Sequence, residues 1–81
     1  MTWEDTLITS TLFQQVRTNS PHPGWMVESD DEKEIILAVG NNGPERFDKW
    51  RNVKVLKATG ELFEWEYGKE DWVPLKPAPK P

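Results

Sequence analysis

The chain contains no cysteine. That excludes disulfide stapling, thiolate nucleophiles and zinc sites built on cysteine, and it fits a reducing compartment such as the cytoplasm. Histidine is nearly absent as well. His22 stands alone between Pro21 and Pro23, so neither a histidine metal site nor a histidine–carboxylate relay has the residues it needs. No apolar run comes near the roughly 18 residues of a membrane span. The start, MTWEDTLITS, is acidic where a secretion signal is basic. A basic excess is missing too: 10 Lys and Arg stand against 14 Asp and Glu, giving a net charge of −4. A general phosphate-binding surface requires the opposite balance. Neither GxxxxGK[ST] nor GxGxxG occurs, and Ser10, Ser20 and Ser29 lack a nucleophile-elbow setting. The expectation is a non-enzymatic chain without metal or cofactor.

What the sequence does have is rings. Five Trp, three Phe and one Tyr fall within 81 residues, a length that suits one small domain. The most regular stretch is VKVLKATGELFEWEYGKEDWVPL, residues 53–75. It reads as a hairpin, with a turn at Thr59-Gly60 where glycine admits a positive φ, and a return strand ELFEWEY. Alternation puts Phe63, Trp65 and Tyr67 on one face and Leu62, Glu64 and Glu66 on the other. We read the ring row as the core face, with an aromatic platform as the functional alternative. Facing Lys54 and Lys57 with Glu64 and Glu66 would add favourable cross-strand pairs. GKED then makes a tight turn and WVPL a short last strand, in which Pro74 marks an edge.

Further upstream, WMVES (25–29) and EIILAV (34–39) read as strands around a DDEK turn. TNSPHPG (18–24) and GNNGPERFDKW (40–50) read as loops. Residues 2–18 are harder. Thr2 with Asp5 resembles a capping box, yet Trp3, Leu7, Ile8, Leu12, Phe13 and Val16 spread round a single helical wheel. Thr6, Thr9, Ser10, Thr11 and Thr18 also disfavour a helix. We expect an extended or strand segment from about Leu7 to Val16, with Trp3 on a lead-in; a helical lead-in is the alternative. The expected fold class is all-β, a small bent antiparallel sheet or SH3-like barrel of about five strands. Residues 1–75 would form the single domain and KPAPKP (76–81) a Pro/Lys-rich tail of polyproline II or disordered character.

The ending V-x-V-L-x-x-x-G-x-x-x-x-W (Val53 to Trp65), followed by an acidic turn and a short strand, resembles small uncharacterised phage proteins and Tudor- or KOW-type SH3-like barrels. The resemblance spans about residues 25–75. It implies a binding module rather than an enzyme: a phage protein that docks on a host enzyme, or a virion structural or decoration protein. Its alternative is a nucleic-acid-associated barrel using the basic run Arg46, Lys49, Arg51, Lys54 and Lys57. For protein docking, Trp50 in FDKWR and Trp72 in KEDWV, with Phe47 and Tyr67, are the candidate anchors. Five indoles are many for so small a sheet, so some are expected to stay partly exposed. The acidic turn Asp30, Asp31 and Glu32 is the candidate rim; it lacks the alternate ligands and central glycine of a calcium loop. Self-association would help so thin a core.

Overall fold

The computed structural model describes residues 2–77 of the chain. Its N-terminal segment is helical, against the extended reading. Two short helices, α1 (Trp3–Ile8) and α2 (Thr11–Asn19), are separated by Thr9 and Ser10. The hydroxyl residues that argued against a helix are what end and start these two. Thr2 accepts the Asp5 N–H at 3.3 Å and caps α1, as the capping pattern suggested. The buried Ser10 accepts the Phe13 N–H at 3.1 Å, capping α2, and donates to the Leu7 carbonyl at 2.6 Å. Thr9 and Thr18 donate back to the carbonyls of Asp5 and Gln14 at 3.0 and 2.9 Å. The break also explains the misleading wheel. It resets the helical phase, and within α2 alone Leu12, Phe13 and Val16 fall on one buried face.

Five strands follow: β1 (Pro23–Asp30), β2 (Glu34–Asn42), β3 (Phe47–Leu56), β4 (Leu62–Glu66) and β5 (Asp71–Pro74). They form one antiparallel sheet in chain order, with β1 and β5 as its edges. This is the small all-β sheet that the sequence suggests. Gly60 has φ +76, as the hairpin turn requires, and Pro74 lies on an edge strand. Two loops are shorter than expected. Strand structure runs through most of residues 40–50, and the reversal takes only Gly43 to Arg46, closed by the Gly43 N–H to the Arg46 carbonyl at 3.1 Å. Pro23 does not prevent pairing, because it is the first residue of an edge strand, where a missing N–H costs no ladder bond.

Two β-bulges bend the sheet. Val27 pairs with Leu37 and Ser29 with Ile36, leaving Glu28 extra in β1; Val39 pairs with Arg51 and Gly40 with Lys49, leaving Trp50 extra in β3. At the second bulge the chains crowd. A Cβ on Gly40 would lie 2.0 Å from the Asp48 carbonyl oxygen, so only glycine fits.

The helices cover one face of the sheet. Leu7, Leu12, Phe13 and Val16 meet Leu37, Val39, Val53, Val55 and Leu62 there, all buried. Trp3, Ile8, Trp25, Ile35, Trp50 and Leu75 surround that core. Trp3 and Phe13 approach Trp25 edge-on, with ring centroids 6.1 and 5.8 Å apart. Residues 2–18 therefore supply four of the nine buried core residues and are not a separate lead-in. The start of the presumed tail is also tied down: the Thr11 N–H donates to the Lys76 carbonyl at 2.9 Å and its hydroxyl to the Pro77 carbonyl at 3.0 Å. Residues 78–81 of the expected 76–81 tail lie outside the described residues.

Candidate functional site: the helix-free face of the sheet

Strand alternation gives the sheet a second face that carries no helix. The register joins Met26 to Ala38, Ala38 to Asn52, Ile36 to Lys54, Lys54 to Phe63, and Trp65 to Trp72. Directly opposed residues of an antiparallel pair share a face, so these residues lie together. The ring row is thus not the helix-packed core; Leu62 turns inward and Phe63 and Trp65 turn away. Trp65 and Trp72 meet edge-on at 5.4 Å. The Lys54 ammonium lies 4.8 Å from the Trp72 ring centre and 5.8 Å from that of Phe63. Two of the rings, Phe63 and Trp72, do lie against a cation, but it is the chain's own. The expected pairs of Lys54 and Lys57 with Glu64 and Glu66 do not form, because Glu64 opposes Val53 on the other face.

The residues singled out for docking are dispersed. Trp72 belongs to the ring group. Tyr67 follows in the next turn, half exposed at 51%, with the Arg51 guanidinium 5.2 Å from its ring centre. Trp50 packs on the core from its bulge, and Phe47 pairs with Asn42 at the far end of β3. Asp30 and Asp31 serve the β1–β2 hairpin. Asp30 pairs with Lys57. Asp31 Oδ1 accepts the N–H groups of Lys33 and Glu34 at 2.8 and 2.9 Å. The hydrogen bonds from Glu34 and Lys33 hold the Asp31 carboxyl below its ordinary range. Glu32 is exposed at the tip. All five tryptophans are half-buried; the large apolar side chains most open to water among the described residues are Met26, Val27 and Tyr67.

The basic run is not one positive surface. Arg46 pairs with Asp48 at 3.0 Å, Lys49 with Glu28 at 3.7 Å, and Lys57 with Asp30. Lys54 sits among rings, and Arg51 joins Tyr67.

On the covered face, a cavity of about 280 Å³ opens between α2 and the β4–β5 pair, lined by Thr11, Leu12, Gln15, Glu64, Glu66, Lys69, Val73 and Lys76. Burial pushes the Glu64 carboxyl upward, against the opposing pull of Arg51. Among the described residues no group of three or more His, Cys, Asp or Glu side chains is placed to hold a metal ion.

Sequence reasoning passed over Met26 and Lys54 as members of this face, and Val27 as an exposed apolar side chain on the other. The signal was present in register alone: the WMV run lies on an edge strand, and Lys54 lies one residue from Val53 and Val55.

The architecture is a helix pair on one face of a five-stranded antiparallel meander. Protein-family models, curated proteins and solved structures give no match to the chain. No helix among the described residues is long and apolar enough to cross a membrane.

Proposed function

We propose that the chain is a non-enzymatic protein-binding module that docks through the helix-free face of its sheet. The observation that carries this reading is the group in which Phe63 and Trp72 lie against Lys54 and Trp65 meets Trp72 edge-on, half-buried and without a covering element. Rings of this kind supply contact area at little entropic cost, since they are already fixed against each other. Lys54 gives the patch a cation that a partner's carboxylate would meet within an apolar surround. The resemblance to small phage proteins supplies the setting, a host enzyme or a virion component in the bacterial cytoplasm. A nucleic-acid role has less behind it, because Arg46, Lys49 and Lys57 are paired with acidic neighbours.

The test is affinity capture from host lysate and from dissociated virions, using the native chain beside Lys54→Glu and Trp72→Ala. A protein held by the native chain and bound at least about tenfold more weakly by both variants supports the reading. Capture of nothing, or equal capture by folded variants, overturns it.

A further inference from the structure

The open edge of β1 carries an inference that goes beyond docking at the aromatic patch. Met26 and Val27 are 48% and 53% exposed, neighbours on this edge strand, and their side chains point to opposite faces. The Asn42 N–H donates to the His22 carbonyl. By alternation, Gly24 and Met26 also turn their backbone groups toward β2, so Trp25 and Val27 turn theirs outward. Pro23 removes a donor at one end of this edge, and the Glu28 bulge disrupts it at the other. What stays open is a short window, Trp25 to Val27. The other edge is less accommodating: β5 has four residues, and Pro74 is one of them.

We infer that this window pairs with the same window of a second copy, making a two-fold dimer with a continuous ten-stranded sheet. The register follows from the free groups. An antiparallel pair centred on Met26 sets Trp25 opposite Val27 in both directions. All four residues then use outward-facing groups, for about four reciprocal hydrogen bonds. Centring on Trp25 would spend a pairing on Pro23, which has no donor. Centring on Val27 would pair Trp25 with Ser29, whose groups turn toward β2 beyond the bulge.

The same register suits the side chains. Met26 meets Met26 at a non-hydrogen-bonded position, where Cα atoms come within about 4.5 Å. On the other face, Val27 is covered by the Trp25 indole, itself the ring that Trp3 and Phe13 flank. Glu28 falls opposite Gly24, so no like charges oppose each other. A window closed at both ends favours a discrete pair over an open-ended ribbon. The contact lies at β1 and leaves the β4–β5 ring group free, so the two surfaces are separable.

The test uses the full chain. Sedimentation equilibrium of the native protein is expected to show a dimer. Met26→Lys sets two ammonium groups face to face on the two-fold axis and is expected to weaken association by at least about tenfold. Because the chain has no cysteine, single cysteines report the register. Met26→Cys is expected to form an intermolecular disulfide under mild oxidation, since a Cα separation of about 4.5 Å lies within disulfide range. Glu28→Cys should not, since its two copies lie about four residues apart along the strands, or about 14 Å. Circular dichroism confirms folding of each variant, and the cysteine comparison stands without Met26→Lys. A native protein that is monomeric at its highest soluble concentration overturns the inference. So does a dimer that persists undiminished in folded Met26→Lys, or one that cross-links equally well through Glu28→Cys.

Discussion

Leu7→Ala asks whether the N-terminal helices hold the fold together or only lean on it. Leu7 is fully buried, on α1, in the same cluster as Leu37, Val53 and Leu62. Truncating a fully buried leucine removes its transfer free energy and leaves a cavity, at a cost of about 2–5 kcal/mol. The site is walled by helix on one side and sheet on the other, which limits collapse, so we expect about 3 kcal/mol. A domain of this length has a total stability of roughly 4–12 kcal/mol. The substitution should therefore consume a quarter or more of it. At about 4–8 °C per kcal/mol for a domain of this size, Tm should fall by roughly 12–24 °C. Urea unfolding, followed by both tryptophan fluorescence and circular dichroism, measures the free energy, and coincident curves establish that it is well defined. An extended or loosely attached segment would instead give a surface-like change within about 0.5 kcal/mol. A loss below about 1 kcal/mol would refute the packing of α1 against the sheet.

Two further perturbations probe the sheet. Gly40→Ala forces a Cβ against the Asp48 carbonyl and should cost about 1–3 kcal/mol, toward the upper end because backbone must move. Gly60→Ala, whose φ of +76 is strained but whose surroundings are open, should cost about 1 kcal/mol; chemical denaturation ranks the two, and the reverse order contradicts the bulge geometry. Glu64 gives a pH dependence. Its folded carboxyl is raised by burial, so in the window above the ordinary carboxyl range the folded state holds more protons than the unfolded one, and stability falls as pH rises through it. Glu64→Gln should flatten that slope and stabilise the protein at neutral pH, read from midpoints of urea unfolding between acidic and neutral pH; an unchanged slope places the origin elsewhere.

Local chemistry made several elements readable in advance. EIILAV, rich in branched apolar residues between turn signals, read as a strand, and Gly60 marked the β3–β4 reversal because a positive φ was needed there. Pro74 announced an edge. Thr2 with Asp5 announced a cap, although the segment as a whole pointed the other way. The GNNGPERFDKW stretch misled because its glycines and asparagines are spent on two long strands, a bulge and a four-residue reversal, a distribution that composition does not record. The candidate anchors were found by residue type, and type does not say where a ring points: Trp50 turned to the core and Trp72 away from it.

By itself, the sequence determined the all-β character, the order of most strands and the alternation that splits β4 into a ring face and a Leu62 face. Those depend on neighbours within a few residues. Which of the two faces would be buried was decided only when α1 and α2 packed. The helices bring Leu7, Leu12, Phe13 and Val16 to the side of Leu37, Val53 and Leu62, and the opposite side is left to Lys54 and its rings. That choice depends on pairing register and on packing between elements more than fifty positions apart, such as α1 and β4, and no local pattern carries that information.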